Sequence, residues 1–325
     1  MQHGLSGFPP EELDDGKSEC FIYGRLIMAY LHTGGKDMFE VKNLTYRYPR
    51  NRKDTIKGIT FNIRQGEIFG LLGPSGVGKS TTQKIMVKLL SGYQGEIYYR
   101  DKELREYDKE YYQEIGVGFE LPVHFSKLTA LENINFFKKL YRNQANTDAM
   151  MQRLGIYEAR KKKVDQFSKG MKIRLNFVRA VLNNPAVLFL DEPTIGLDPA
   201  NARILKTMIK EYRDYGGTVL LSTHLMNDVD ELCDRVAFMV DGQIAEINTP
   251  QNLKLKHGEK KVEVEYAEHH GGEEPSKRAL FDLETINRNE EFFKLMRSKK
   301  IITMHSKETT LDDIFIKITG VEKHA

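Results

Sequence analysis

Eight consecutive residues, Gly73-Pro74-Ser75-Gly76-Val77-Gly78-Lys79-Ser80, set glycines ahead of a lysine and a hydroxyl at the spacing G-x-x-x-x-G-K-S. Glycines let a backbone fold tightly enough for successive N–H groups to point at one anion. A helix starting at the end of such a loop adds the partial positive charge of its N-terminus. Lys79 then reaches the outer phosphates of a nucleotide, Ser80 offers its hydroxyl to Mg²⁺, and Thr81 completes the set. Far downstream, the apolar run 187–190 ends in Asp191-Glu192. A strand ending this way places Asp191 beside the phosphate loop, where it holds Mg²⁺ through water. Glu192 is then placed to polarise an attacking water as general base. Singly, the two stretches also read as a glycine-rich turn and an acidic helix cap. Together they favour a nucleotide.

The elements that must position these groups follow from hydrophobic periodicity. The apolar run 68–72 predicts a buried strand leading into the loop, and a helix runs from Lys79 to about Leu90, closed by Ser91-Gly92. Strands are expected at 39–46, 59–63 and 95–99. From about 116 to 170 the pattern changes to a helical insertion, with Leu131, Ile134, Phe137, Leu140 and Tyr141 at helical spacing. Its basic run 160–163 reads as a solvated helix end. A helix at 171–182, a strand at 186–190, a helix at 201–215 and a strand at 218–221 resume the alternation. A hairpin around Asp241-Gly242 ends it. Alternating strands and helices argue an α/β fold with a mostly parallel sheet covered on both faces. A tail from about 248 to 325 reads as a small α+β module. It has strands at 261–266 and 301–305, a polar loop at 269–275, and helices at 290–296 and 311–319. Residues 1–37 differ from the rest. An acidic start precedes a short apolar stretch at 20–31, which suits an attachment segment or an untethered extension.

Composition narrows the class. Apolar content of 40% and charged content of 29% are those of a globular protein. The balance of 49 basic against 46 acidic residues, +3, is too even to argue for nucleic acid. Two cysteines, Cys20 and Cys233, build neither a disulfide framework nor a zinc site. No run approaches the roughly 18–20 apolar residues of a membrane span.

The segment Phe167-Ser168-Lys169-Gly170-Met171, upstream of the Asp191 strand, resembles the signature motif of ATP-binding cassette (ABC) ATPases. The usual form is Leu-Ser-Gly-Gly-Gln. Ser168 and Gly170 match it, while Lys169 and Met171 depart from it in the manner of the daunorubicin-type drug exporters. The resemblance covers about 38–247, and it implies further roles. Tyr48, with Tyr46 as the other choice, resembles the aromatic that stacks on adenine. Glu120 stands where the family has a glutamine that contacts Mg²⁺. Ser168 and Gly170 would bind the γ-phosphate held by a partner copy. Asp198, in Gly196-Leu197-Asp198-Pro199, would cross the dimer seam, and His224 would be the switch that contacts the γ-phosphate. The tail segment 310–315 also resembles the end of drug-exporter ATPases.

The implied fold is a P-loop NTPase (RecA-like) ABC ATPase core over 38–247. It carries an antiparallel β subdomain, the inserted helical subdomain and the C-terminal α+β appendage. The implied protein binds and hydrolyses ATP with Mg²⁺, as a homodimer or a heterodimer with a related ATPase subunit. It would drive a separate multi-span transmembrane permease from the cytoplasmic face of the membrane, with no nucleic acid as partner. A groove near 120–125 would receive a short helix of that permease. A soluble ABC ATPase acting on ribosomes or DNA is the runner-up. Those usually carry paired cassettes, long coiled coils or zinc insertions, and none is seen here. A third reading is a P-loop kinase or GTPase, but no Asn-Lys-x-Asp guanine-reading motif follows the loop, and the signature helix would go unexplained.

Overall fold

The computed structural model describes residues 36–121, 123–267, 276–307 and 309–320. The expectations for residues 1–35 and for the loop at 269–275 fall outside them. The chain begins with β1 (Asp37–Tyr46) and β2 (Ile56–Arg64), followed by β3 (Ile68–Leu72), the phosphate loop and helix α1 (Lys79–Met86). Then come β4 (Gln94–Tyr99), β5 (Lys102–Glu103), α2 (Tyr111–Glu114) and β6 (Ile115–Gly118). The helical region holds α3 (Ala130–Lys138) and α4 (Thr147–Arg153) and leads into α5 (Lys169–Ala180). The core resumes with β7 (Val187–Asp191), α6 (Pro199–Asp214), β8 (Thr218–Thr223), α7 (Met226–Leu232) and the hairpin β9 (Arg235–Val240) and β10 (Gln243–Asn248). The tail comprises α8 (Pro250–His257), β11 (Lys261–Ala267), β12 (Lys277–Asp282), α9 (Glu290–Ser298), β13 (Lys300–Lys307) and α10 (Leu311–Thr319).

These strands form three sheets: an antiparallel one in the order β2-β1-β4-β5, a central one β10-β9-β3-β8-β7-β6, and a tail sheet β12-β11-β13. In the central sheet β9, β3, β8, β7 and β6 run parallel, and only β10 is antiparallel. Every residue of β3, β7 and β8 is buried. That is why they read as continuous apolar runs, whereas β2 alternates. The register sets Leu72 beside Thr223 and Asp191 beside Ser222. The carboxyl ends of the three strands therefore finish level at one edge of the sheet, where open α/β sheets bind their ligands.

Two expectations about boundaries change. The helical insertion does not begin at 116, because Ile115–Gly118 is β6, the edge strand of the central sheet, paired with β7. Its Ile-Gly-Val-Gly sequence hides it. Gly116 is needed because a Cβ there would overlap the carbonyl oxygen of Ala180 on α5. The tail is also more embedded than an appendage drawn from 248 suggests. Leu253 of α8 and Leu311, Ile314 and Phe315 of α10 belong to the main core, and the Phe315 ring meets Phe238 edge-on at 5.3 Å. The tail sheet has a smaller core of its own around Val262, Val264 and Phe281. Among the described residues, no helix is long and apolar enough to cross a membrane.

Candidate active site

The phosphate loop spans the gap between β3 and α1. Gly76 has φ 83° and Gly78 φ 109°, conformations that residues with a Cβ rarely adopt. Gly78 is the N-cap of α1, so the helix's first N–H groups open onto the loop. A Cβ on Gly73 would overlap the carbonyl oxygen of Met239 in β9, so glycine lets the loop lie against the sheet. Val77 packs against the core cluster shared with the antiparallel sheet. On α1, Gln83 is buried and donates to the carbonyls of Leu190 and Leu220, which pins the helix across β7 and β8.

Lys79 is only 6% exposed. Its Nζ donates to the carbonyls of Gly73 at 2.6 Å and Pro74 at 3.0 Å, so the ammonium curls over its own loop. Burial pulls its pKa down, and the charges of Glu192, Asp191 and Glu120 pull it back up. Ser80 Oγ donates to Asp191 Oδ1 at 3.1 Å, and Ser222 Oγ donates to the same oxygen. Glu192, 8% exposed with φ 49°, sits just past the end of β7. Its Oε2 accepts from Thr223 Oγ1 at 2.9 Å, and its Oε1 lies 2.8 Å from His224 Nδ1. A carboxylate only accepts, so Nδ1 carries the hydrogen of that bond.

These groups converge. A cavity of about 170 Å³ is lined by Ser75, Gly76, Gly78, Lys79, Ser80, Thr81, Glu120, Glu192 and His224. Tyr48 stands at its side with its hydroxyl 3.2 Å from Thr81 Oγ1. Tyr46 is buried and meets Tyr48 edge-on at 5.0 Å, so of the two tyrosines Tyr48 has the open face. An anion cradle next to a hydroxyl and a carboxylate already in contact suits phosphates and a hard cation with oxygen ligands.

Ser168, Gly170 and Asp198 do not line this cavity. They form a second cluster, where Gly170 lies against Gly196 and Leu197. Ser168 is the exposed N-cap of α5 and accepts from the N–H of Met171 at 3.2 Å. Asp198 is the N-cap of α6 and accepts from the Asn201 N–H at 3.0 Å, a bond that holds its carboxyl below the usual range. Sequence reasoning missed Ser222 as a partner of Asp191, and it took Thr223 only as a neighbour of the histidine. Both hydroxyls end the apolar run of β8, where a polar residue has little reason to sit unless it serves a site.

Comparison with known proteins agrees with this geometry. A model described as "ABC transporter" matches residues 56–195, and one described as "Fluoroquinolone efflux ABC transporter C-terminal domain" matches 260–308. The fluoroquinolones export ATP-binding protein of Mycobacterium tuberculosis (strain CDC 1551 / Oshkosh) is 44% identical over 88% of this chain and 94% of its own length. A solved ATP-binding subunit of an ABC transporter superposes with a TM-score of 0.62 at 26% identity, covering 67% of this chain and 92% of that one. A dimeric ATP-binding cassette in a post-hydrolysis state with ADP and Pi superposes with a TM-score of 0.57 at 27% identity, covering 65% and 98%. This chain belongs to the ATP-binding subunits of ABC transporters. Within them it stands with the ATPases coupled to export, and nothing found favours the ribosome- or DNA-directed alternative.

Proposed function

We propose that the chain powers export of a small-molecule drug or antibiotic by a separate multi-span membrane subunit, working as an ATP-dependent dimer on the cytoplasmic face of the membrane. The observation that carries this reading is the meeting of Lys79, Glu192 and His224 in one cavity, with the Ser80–Asp191 pair beside it. Tyr48 offers its ring to adenine, and the loop N–H groups from Ser75 to Thr81 hold the phosphates. Ser80 and Asp191, with Glu120 at the rim, would hold Mg²⁺, whose charge offsets that of the phosphates. Glu192 orients the attacking water and takes its proton, while His224 holds the Glu192 carboxylate in place through Nδ1. Ser168, Gly170 and Asp198 serve the nucleotide of a second copy, which accounts for their place away from their own cavity, with Ser168 and Asp198 exposed.

The permease contact falls on the surface next to Glu120. Leu121 and Val123 are 76% and 75% exposed, and Phe125 and Phe136 are half exposed with rings 5.0 Å apart. An apolar patch of this kind suits an amphipathic helix laid into it. The relative's printed name points to fluoroquinolones as its cargo, and the tail's match to the same group supports a cargo of that class for this chain.

A disulfide test addresses the dimer. Ser168→Cys with Ser75→Cys, in a Cys20→Ser background, should crosslink between chains when ATP is bound and hydrolysis is blocked by Glu192→Gln. No interchain crosslink under those conditions refutes the shared site.

A further inference from the structure

Helix α7 starts two residues after His224, and its first turn is tied down from outside the site. Asp228, 9% exposed, accepts through Oδ2 from the hydroxyl of Thr194 in a buried hydrogen bond. Its Oδ1 lies 3.3 Å from Lys206 Nζ on α6, and Lys206 also pairs with Glu231 one turn along α7. Thr194 is itself buried and belongs to the turn that starts at Glu192 and ends at Asp198, the cap of α6. The turn carrying the base and the helix following the histidine are therefore fastened twice. One fastening, inside the cavity, is Thr223 and His224 to Glu192, and the other is Asp228 to Thr194, behind it.

We infer that Asp228 is a positioning residue for ATP hydrolysis, setting the His224–Glu192 contact through Thr194 and Lys206. This rests on the roles given above to Glu192 and His224. The physical reason is leverage. The His224 ring is partly exposed, and its backbone runs straight into α7, so its place depends on where that helix begins. Without the Asp228 carboxylate, the Thr194 hydroxyl loses its partner and Lys206 keeps only Glu231. Buried polar groups left unpaired are costly, so the turn and the helix move apart to find water or new partners. A shift of about 1 Å at such a contact is enough to cost a catalytic group much of its effect. Nucleotide binding rests on the loop 73–81, which neither Asp228 nor Thr194 touches.

The experiment measures ATP turnover by the full chain for Asp228→Ala, Asp228→Asn and Thr194→Val, each alone and with His224→Ala. Thr194→Val cuts the same bond from the other end and keeps the Asp228–Lys206 pair, so a folding failure of the aspartate variants leaves the question answerable. We expect Asp228→Ala and Thr194→Val to lower kcat by about 10-fold with KM within about 2-fold, and Asp228→Asn to lie between. In the His224→Ala background they should add nothing. Wild-type kcat in Thr194→Val, or losses that multiply with that of His224→Ala, overturns the inference. Wild-type turnover in His224→Ala instead overturns the role given to His224, and this inference with it.

Discussion

Glu192→Gln separates binding from chemistry at the site. Glu192 Oε1 faces His224 Nδ1 and Oε2 faces the Thr223 hydroxyl, at 2.8 and 2.9 Å. Glutamine fits the same space. Its carbonyl can accept from His224 while its amide donates to Thr223 Oγ1, which can turn to accept. The buried Thr223 hydroxyl hydrogen loses its acceptor, a local cost, and the loop 73–81 stays as it is. Removing one of the three carboxylates that act on Lys79 also lessens repulsion toward a triphosphate. Nucleotide affinity should hold or rise. On the role proposed for Glu192, the lost function is proton abstraction. General-base catalysis contributes roughly 10² to 10⁴ in rate, about 3–5 kcal/mol of barrier. The assay is single-turnover phosphate release at saturating Mg-ATP, run beside equilibrium ATP binding and light scattering for dimer mass. The expected result is ATP retained in a stable dimer, with release slowed by two orders of magnitude or more. Release at the wild-type rate would show that another group, or none, activates the water.

Two further outcomes follow from the same structure. Lys79→Ala removes the one ammonium lining the cavity among the described residues, and the dissociation constant for ATP should rise roughly 10- to 100-fold, as for loss of a charged hydrogen-bonding group; calorimetry showing unchanged affinity would overturn the phosphate-loop assignment. His124, whose Nε2 meets the Lys172 carbonyl at 3.1 Å, is pushed down to about 4 by burial, against the pull of that carbonyl and with the help of the Arg179 and Lys172 charges. Its folded pKa lies below the unfolded value near 6.5, so the unfolded chain binds the extra proton first, and stability falls as pH drops from about 6.5 toward 4. Urea midpoints across that range should fall less steeply for His124→Gln, and an identical slope would show that the ring contributes nothing.

How much of this could be read from the sequence depended on whether the signal was local. Runs such as 68–72 and 187–190 announced themselves because strands buried on both faces have no polar residues to interrupt them. The phosphate loop did so because its chemistry lies within eight residues. The rest rested on pairings between distant segments. Asp191 meets Ser222 across 31 positions and Thr194 meets Asp228 across 34. No pattern within one window encodes either pair. Strand β6 escaped because its glycines, needed for the approach of α5, carry little strand propensity. Helix α8 escaped because its apolar residues fall on no single face, and only Pro250 and Leu253 are buried.

The proposed division of the chain into two half-sites follows from how its helices begin. Three helix N-termini matter, and they open in different places. The N-terminus of α1 opens onto the chain's own cavity, with Gly78 as a cap that has no side chain to fill it. Those of α5 and α6 are capped by Ser168 and Asp198, away from that cavity. Arg174 holds these two starts together, donating to the carbonyl of Gly170 at 3.3 Å and to Asn201 Oδ1 at 2.9 Å, while a third bond at 2.6 Å reaches the Leu154 carbonyl at the end of α4. The signature helix, the seam loop and the helical region are thereby braced as one piece. A phosphate arriving from a facing copy would meet the α5 N-terminus already oriented, at little cost in ordering. In the proposed dimer, closure then becomes a choice between two rigid surfaces and the water between them. That suits the motor proposed above, an ATP-dependent dimer that closes and reopens.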